Sequence, residues 1–336
     1  MQTIRLGRTN LVVSKNGFGA LPIQRVDMDT AKKILRKAYD GGINYFDTAR
    51  AYTDSEDKMG AALSDVRKEI IISTKTVSTT VEGFWNDLRA SLAALKTDYI
   101  DIYQFHNPDF CPRPGDGTGL YEAMLEAKAQ GLIRFIGITN HRLSIAEEAV
   151  VSGLYDTLQF PFSYLSGEKD LALVRLCEEH DVGFICMKAL AGGLITNARA
   201  AYAYLAQLPV APIWGIQRER ELDDFLVFQN APAEMDEEIT AVLDADRKEL
   251  QGDFCRGCGY CMPCPAGINI GICSRIGLIM RRAPSEGYYS KFWQDEMEKT
   301  KNCLHCGQCT QKCPYGLDAP SLLEKSYLDY QKLLAE

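Results

Sequence analysis

The chain has 336 residues, a length that suits one large barrel plus a smaller appendage. Apolar residues make up 46% and charged residues 24%, which excludes an intrinsically disordered chain. A formal net charge of −8 gives no support to nucleic-acid binding, which requires a basic face. The opening Met1-Gln2-Thr3-Ile4-Arg5 holds no apolar h-region, so no secretory signal and a cytoplasmic setting are expected.

In chain order, a hairpin fits residues 3–6 and 11–13 around the turn Gly7-Arg8-Thr9-Asn10. A strand near 14–19 follows. Short apolar strands then recur at 43–47, 70–74, 99–105, 134–137, 157–160, 183–187 and 210–214. Amphipathic stretches alternate with them at 29–40, 55–63, 81–95, 120–130, 143–151, 168–180 and 219–229. Strand–helix alternation requires right-handed crossovers and a parallel sheet. Eight such units in roughly 250 residues is the size of a closed (β/α)8 TIM barrel. An open doubly wound sheet is the alternative, but Gly17-Phe18-Gly19-Ala20-Leu21-Pro22 does not supply its glycine fingerprint. The longest uncharged run, 200–217, holds Pro209, Pro212 and two glutamines; it reads as a helix end and a buried strand, so no membrane span is expected. Beyond residue 244 the strand rhythm stops. The expected division is a barrel over 1–244 and a small, mostly helical ferredoxin-like domain over 245–336, with helix-compatible stretches at 271–282, 288–300 and 321–334. That second domain is thin in apolar content and is expected to fold poorly without its metal.

Nine of the 12 cysteines crowd into residues 255–313. Without an export signal, dense cysteine points to metal or redox chemistry rather than to disulfides. Two runs stand out: Cys255-x2-Cys258-x2-Cys261-x2-Cys264-Pro265 and Cys303-x2-Cys306-x2-Cys309-x3-Cys313-Pro314. A thiolate at every third residue lets one turn of backbone wrap a cluster, and two [4Fe–4S] clusters are expected. Zinc ribbons are the other use of paired C-x2-C units, but they rarely use unbroken runs of four cysteines ending in proline. Cys273 lies outside both runs and reads as a buried thiol.

Barrel enzymes place their chemistry at the C-terminal ends of the strands. Asp47, Lys75 and His106 stand at or near three such ends, and Tyr52 lies on the loop after Asp47. A tyrosine alone, with a pKa of about 10, is a poor acid near neutrality. A nearby ammonium favours its phenolate, a carboxylate can hold the lysine, and a histidine can steer a carbonyl oxygen.

The segments Asn44-Tyr45-Phe46-Asp47-Thr48-Ala49-Arg50-Ala51-Tyr52, Ile72-Ser73-Thr74-Lys75 and Asp101-Ile102-Tyr103-Gln104-Phe105-His106 resemble the aldo-keto reductase superfamily in order and spacing. The resemblance covers about residues 1–230 and implies Tyr52 as proton donor, Asp47 and Lys75 as its tuning pair, and His106 as substrate orienter. It also implies Asn140, Gln159 and Met187 as nicotinamide contacts, with Gly215, Arg218 and Asp224 in the adenosine region of an NAD(P)H site. That region departs from the family pattern: Gln217 stands where a phosphate-binding cation is usual, and Phe225 where an asparagine is usual. The barrel-plus-cysteine layout resembles a subgroup described as ferredoxin-type. Its likeness to two-cluster ferredoxins implies that Cys255, Cys258, Cys261 and Cys313 hold one cluster, and Cys303, Cys306, Cys309 and Cys264 the other. The first run has two residues rather than three before its Cys-Pro, a departure that bears on the exchange of Cys264 and Cys313.

An iron–sulfur oxidoreductase is therefore expected. It would act on a small carbonyl-like substrate, with the clusters as electron port and a ferredoxin-like protein as redox partner. Clusters move single electrons and nicotinamide moves a hydride, so a flavin in the barrel would join the two, although no flavin motif is visible. An electron-transfer or sensor protein with a non-catalytic barrel, and an NAD(P)H carbonyl reductase with structural clusters, are the alternatives. The loop 107–117 after His106 borders the expected pocket and does not name the substrate.

Overall fold

The computed structural model describes residues 2–250, 254–282 and 286–335. Strands β1 (Thr3–Arg5) and β2 (Val12–Ser14) form an antiparallel hairpin. Eight parallel strands then close a barrel in chain order: β3 (Gly17–Gly19), β4 (Tyr45–Asp47), β5 (Ile71–Thr76), β6 (Ile100–His106), β7 (Ile133–Thr139), β8 (Thr157–Pro161), β9 (Gly183–Met187) and β10 (Val210–Gly215). The helices between them are α1 (Met28–Asp40), α2 (Ser55–Leu63), α3 (Val81–Leu95), α4 (Leu120–Ala129), α5 (Leu143–Val151), α6 (Glu168–Glu179) and α7 (Ala198–Ala206), with α8 (Glu219–Asn230) after the last strand. This is the (β/α)8 barrel expected from the alternation.

Local rules account for the elements. In α1 the Asp27 carboxylate caps the Thr30 N–H at 2.9 Å, and Ala31, Ile34, Leu35 and Ala38 turn one stripe inward at helical spacing. The hairpin's Leu6, Leu11 and Val13 pack with Tyr45, Ile102, Ile185 and Ala211, and Arg8 N–H bonds Asp181 just before β9. They plug the end of the barrel where the strands begin. The open mouth lies at the opposite, C-terminal ends. Two strands run further toward it than their apolar content suggests: β5 includes Lys75 and Thr76, and β7 continues to Thr139. Polar strand ends resemble loops in a sequence, yet here they continue the ladder, with Lys75 opposite Gln104 and His106 opposite Thr139.

The chain divides into two compact units, Met1–Ala189 with Ala198–Thr240, and Leu190–Asn197 with Ala241–Glu336. The segment Leu190–Asn197 follows β9 in the chain but belongs with the cysteine-rich unit, a feature outside the simple split at residue 244. The boundary at the far end falls inside α9 (Glu237–Glu249). The second unit adds α10 (Ile270–Cys273), α11 (Ile276–Arg282), α12 (Lys291–Glu298), α13 (Gln308–Lys312) and α14 (Ala319–Ala335). Its core is small: Ile268, Ile276, Met280, Met297, Leu323 and Tyr330 are central, and Cys261, Cys264 and Cys303 pack against it. Among the described residues, no helix is long and apolar enough to cross a membrane.

Candidate functional site

Register assembles the mouth of the barrel. Asp47 pairs with Ser73 across β4 and β5, and Lys75, two residues on, points to the same side. Ser73 Oγ donates to Asp47 Oδ1 at 2.6 Å, and Lys75 Nζ donates to the two Asp47 oxygens at 2.8 and 2.7 Å and to the Thr48 carbonyl at 2.6 Å. Both members of the pair are buried. Burial pulls the Lys75 pKa below the usual lysine range, and the Asp47 carboxylate opposes that pull. Lys75 Nζ stands 5.3 Å from the centre of the half-buried Tyr52 ring. The His106 ring meets the Tyr52 ring edge-on at 5.7 Å.

Desolvation, with Lys75 nearby, lowers the His106 pKa to about 3, so the imidazole is neutral through the physiological range. Its Nδ1 is buried and has no hydrogen-bond partner among the described residues. All four residues expected in the catalytic set thus come together.

Around them are further groups, of which Glu56, Gln104 and His141 had no role assigned from the motifs, while Gln159 did. Glu56, buried in the first turn of α2, accepts from Thr74 Oγ1 at 2.6 Å and pairs with Arg50. It ties the Tyr52 loop to the strand that carries Lys75. Gln104 donates to Gln159 at 2.8 Å, and Gln159 donates to Asp47 at 3.4 Å. His141, buried next to Asn140, has its pKa driven well down by burial first, then by Lys188 and His106. Helical spacing held a signal for Glu56, because Met59, Gly60 and Leu63 share its buried face. Gln104 alternates inward with Ile102 and His106, a period-two signal.

The positions expected to meet a nicotinamide lie at the ends of successive strands. Asn140 follows β7 and is fully buried; its amide donates to the Pro108 carbonyl and accepts from Arg142 N–H, each at 2.8 Å. Met187 ends β9, with Thr139 Oγ1 3.8 Å from its sulfur, and Gly215 ends β10. The buried Oε1 of Gln104, like His106 Nδ1, has no partner among the described residues, so the mouth has polar atoms to offer a bound group.

The adenosine region is different. Glu221 accepts from Gln217 N–H at 3.0 Å and Arg218 N–H at 3.1 Å, which fills the N-terminus of α8 with the chain's own carboxylate. The exposed Arg218 side chain lies 3.8 Å from the same Glu221. Phe225 is buried in a 4.1 Å stack with Trp214, and Asp224 is exposed. These residues do not fit a 2′-phosphate.

In the second unit, Cys261, Cys264, Cys303, Cys306 and Cys309 line one cavity. The remaining lining is chiefly apolar and includes Pro265, Ile268, Leu304 and Leu323; none of its described residues is charged. Cys255 and Cys258 lie near enough to Cys261 to help raise its pKa to about 11, burial being the larger cause. Arg256 stacks over Phe254 at 4.4 Å and over Tyr315 at 4.9 Å, a contact between the residue after Cys255 and the residue two after Cys313. Among the described residues, no three His, Cys, Asp or Glu side chains are close enough to grip a single metal ion. One zinc would draw its thiolates to within about 4 Å of one another, given a Zn–S bond of about 2.3 Å, whereas a cluster stands between its thiolates and needs them wider apart. The donor set, thiols only around a chiefly apolar cavity, fits iron–sulfur clusters. Cys273 is buried against the Glu296 carbonyl at 3.7 Å, as a core thiol. Cys111, in the loop after His106, is also buried.

Comparison with known proteins agrees with both halves. The 4Fe-4S dicluster domain matches residues 254–318, and the aldo/keto reductase family matches residues 15–207, more than half of the chain. An uncharacterized oxidoreductase of Bacillus subtilis is 31% identical over 211 residues, covering 59% of this chain and 67% of its own. L-galactose dehydrogenase of Arabidopsis thaliana is 32% identical over 213 residues, covering 57% and 66%. NADH-specific methylglyoxal reductase of Escherichia coli is 27% identical over 227 residues, covering 59% and 70%. The matched part thus spans about two thirds of each relative's length. In fold, an aldo-keto reductase from Bacillus halodurans, in its holo form, superposes with a TM-score of 0.63 at 23% identity, covering 73% of this chain and 96% of that one. With this barrel, and with a 4Fe-4S dicluster domain behind it, the chain belongs to the aldo/keto reductase family and is an oxidoreductase.

Proposed function

We propose that the barrel reduces, or in the reverse direction oxidises, a small carbonyl-like substrate at its mouth, and that the cysteine-rich unit is its electron port. The observation that carries this reading is the buried Lys75–Asp47 pair beneath the Tyr52 ring, with Lys75 Nζ 5.3 Å from the ring centre. Tyr52 gives its proton to the substrate oxygen. The Lys75 ammonium stabilises the phenolate left behind, and Asp47 keeps that ammonium charged. A neutral His106 cannot be the acid, so it orients the oxygen by hydrogen bonding.

Asn140, Gln159, Met187 and Gly215 would hold a nicotinamide, which supplies a hydride when bound. The self-capped start of α8 favours a carrier without a 2′-phosphate, either NADH or a flavin. The flavin would also bridge hydride and single-electron chemistry. Cys264 shares a cavity with Cys303, Cys306 and Cys309, which supports it as their fourth ligand; Cys261 lines the same cavity, and the likeness to two-cluster ferredoxins assigns it with Cys255 and Cys258, where the Arg256–Tyr315 contact supports Cys313. A ferredoxin-like protein is the proposed redox partner. The names of the relatives that act on methylglyoxal and L-galactose support a small oxygenated substrate.

An anaerobic inventory of iron, sulfide, flavin and bound nicotinamide, paired with Tyr52→Phe, tests the reading. Turnover is expected to fall by about 10²–10⁴-fold while iron and sulfide stay constant. Undiminished turnover would remove Tyr52 from the acid role.

A further inference from the structure

Arg275 is buried, 7% exposed, between α10 and α11. Among the described residues its hydrogen bonds go only to backbone carbonyls, Gly271 O and Gly192 O, each at 3.0 Å. No carboxylate among the described residues pairs with it. Other buried arginines differ. Arg67, equally buried, pairs with Asp101 at 2.8 Å, and Arg282 reaches Asp246 at 2.5 Å and Glu249 at 2.6 Å. A buried guanidinium without a counter-charge is costly by several kcal/mol.

The ionisable groups it faces are two thiols and a phenol. Burial disfavours the Arg275 cation, and Cys255, Tyr288 and Cys258 are the neighbours whose charge would favour it. The backbone is shaped to admit it. At Gly257, between those two cysteines, φ is +61° and a Cβ would stand 2.6 Å from Arg275 Nη2. At Gly192 φ is +68° and a Cβ would stand 2.7 Å from Nη1. Glycine thus clears both approaches to the guanidinium. Gly257 N–H also points at Cys255 Sγ, 3.3 Å away. The cavity lined by Cys264, Cys303, Cys306 and Cys309, which Cys261 also lines, has no charged residue in its described lining.

We propose that Arg275 is the resident counter-charge of the site formed by Cys255, Cys258 and Cys261, and that it makes this the more oxidising of the two iron–sulfur sites. The inference rests on the cluster reading above. A cluster held by thiolates is a net anion, and each added electron makes it more so. A fixed cation at its edge therefore favours the reduced form, while a site walled by apolar side chains gains no such help. Electrons would settle at the Arg275 side.

The test is an anaerobic redox titration of the full chain, followed by visible absorption and by paramagnetic resonance of the reduced protein, with iron and sulfide measured on every sample. Wild type should show two separate one-electron waves. In Arg275→Met the higher wave alone should shift downward, by at least tenfold in its equilibrium constant, or 59 mV for a one-electron couple. Arg275→Gln keeps amide donors for the two glycine carbonyls and should shift as the Met variant does. Arg275→Lys keeps the charge and should hold the higher wave close to its wild-type position. Iron-loaded wild type with one undivided wave would overturn the proposal, as would a Gln variant with both waves unmoved, or both lowered equally. Wild type without iron and sulfide would instead remove the cluster reading beneath it.

Discussion

In the barrel, Asp47, Ser73 and Lys75 meet because neighbouring strands are locked in register, over a core that includes Phe18, Phe46, Ile72 and Ile102. In the second unit the cysteines lie on turns and short helices, and Cys261, Cys264 and Cys303 flank the core built around Ile268, Met297 and Leu323. The first region would hold its charged pair in place without a ligand. The second has ligand positions in place of much of a core. Preorganisation by strand register and preorganisation by metal are two solutions to one problem, holding reactive groups at fixed separations, and under the proposed function this chain would use both.

The largest expected effect separates the two solutions. Removing iron under anaerobic chelation should unfold the second unit, a loss on the order of 10 kcal/mol for a structural metal site, and leave the barrel's unfolding transition in place. Two resolved calorimetric transitions in the loaded protein, with only the barrel's surviving chelation, would meet the expectation. A single shared transition would break the comparison.

Next comes Asp47→Ala, which strands the buried Lys75 ammonium. The barrel should lose about 3–5 kcal/mol in urea unfolding, with iron content unchanged. A smaller loss would mean that the Lys75 charge is relieved elsewhere.

A third effect depends on pH. The His106 pKa falls from the ordinary 6.5 to about 3 on folding, so below pH 6.5 the unfolded chain binds the proton that the folded chain refuses. Its contribution to stability is complete above that value and is lost progressively as pH falls toward 3. Barrel stability should drop by about 1–2 kcal/mol between pH 7 and pH 5 from this group. His106→Asn should flatten the slope, with the part due to His141 remaining. An unchanged slope in the variant would contradict the buried neutral imidazole.

The smallest effect concerns Glu221. Removing its charge in Glu221→Gln should improve NADPH binding relative to NADH by about two- to fivefold, matching the 0.3–1 kcal/mol of a charge at a helix N-terminus. Fluorescence titration with both nucleotides reads it directly, and an unchanged ratio would free Glu221 of any part in cofactor choice.

Much of the barrel was legible in the sequence, because helical spacing in α1 and apolar runs such as Ile100–His106 follow from burial alone. The mouth was legible through polar residues at strand ends, where Lys75 and His106 interrupt otherwise apolar runs. Glu56 was harder to read: a carboxylate opening a helix resembles a solvated residue until Arg50 and Thr74 are seen to close on it. Arg275 gave no local signal. Its partner carbonyl at Gly192 lies far away in the chain, and a Gly-Gly pair after a strand reads simply as a turn.

The chain's path through Leu190–Asn197 has an evolutionary side. This stretch leaves β9, contributes the Gly192 carbonyl to Arg275 and the Leu194 carbonyl to Arg282, and then returns to α7. A ferredoxin module fused to the end of a reductase gene could be exchanged or deleted at a single junction. Here the stretch Leu190–Asn197 groups with the module, so a transplant must carry the β9–α7 insertion with it.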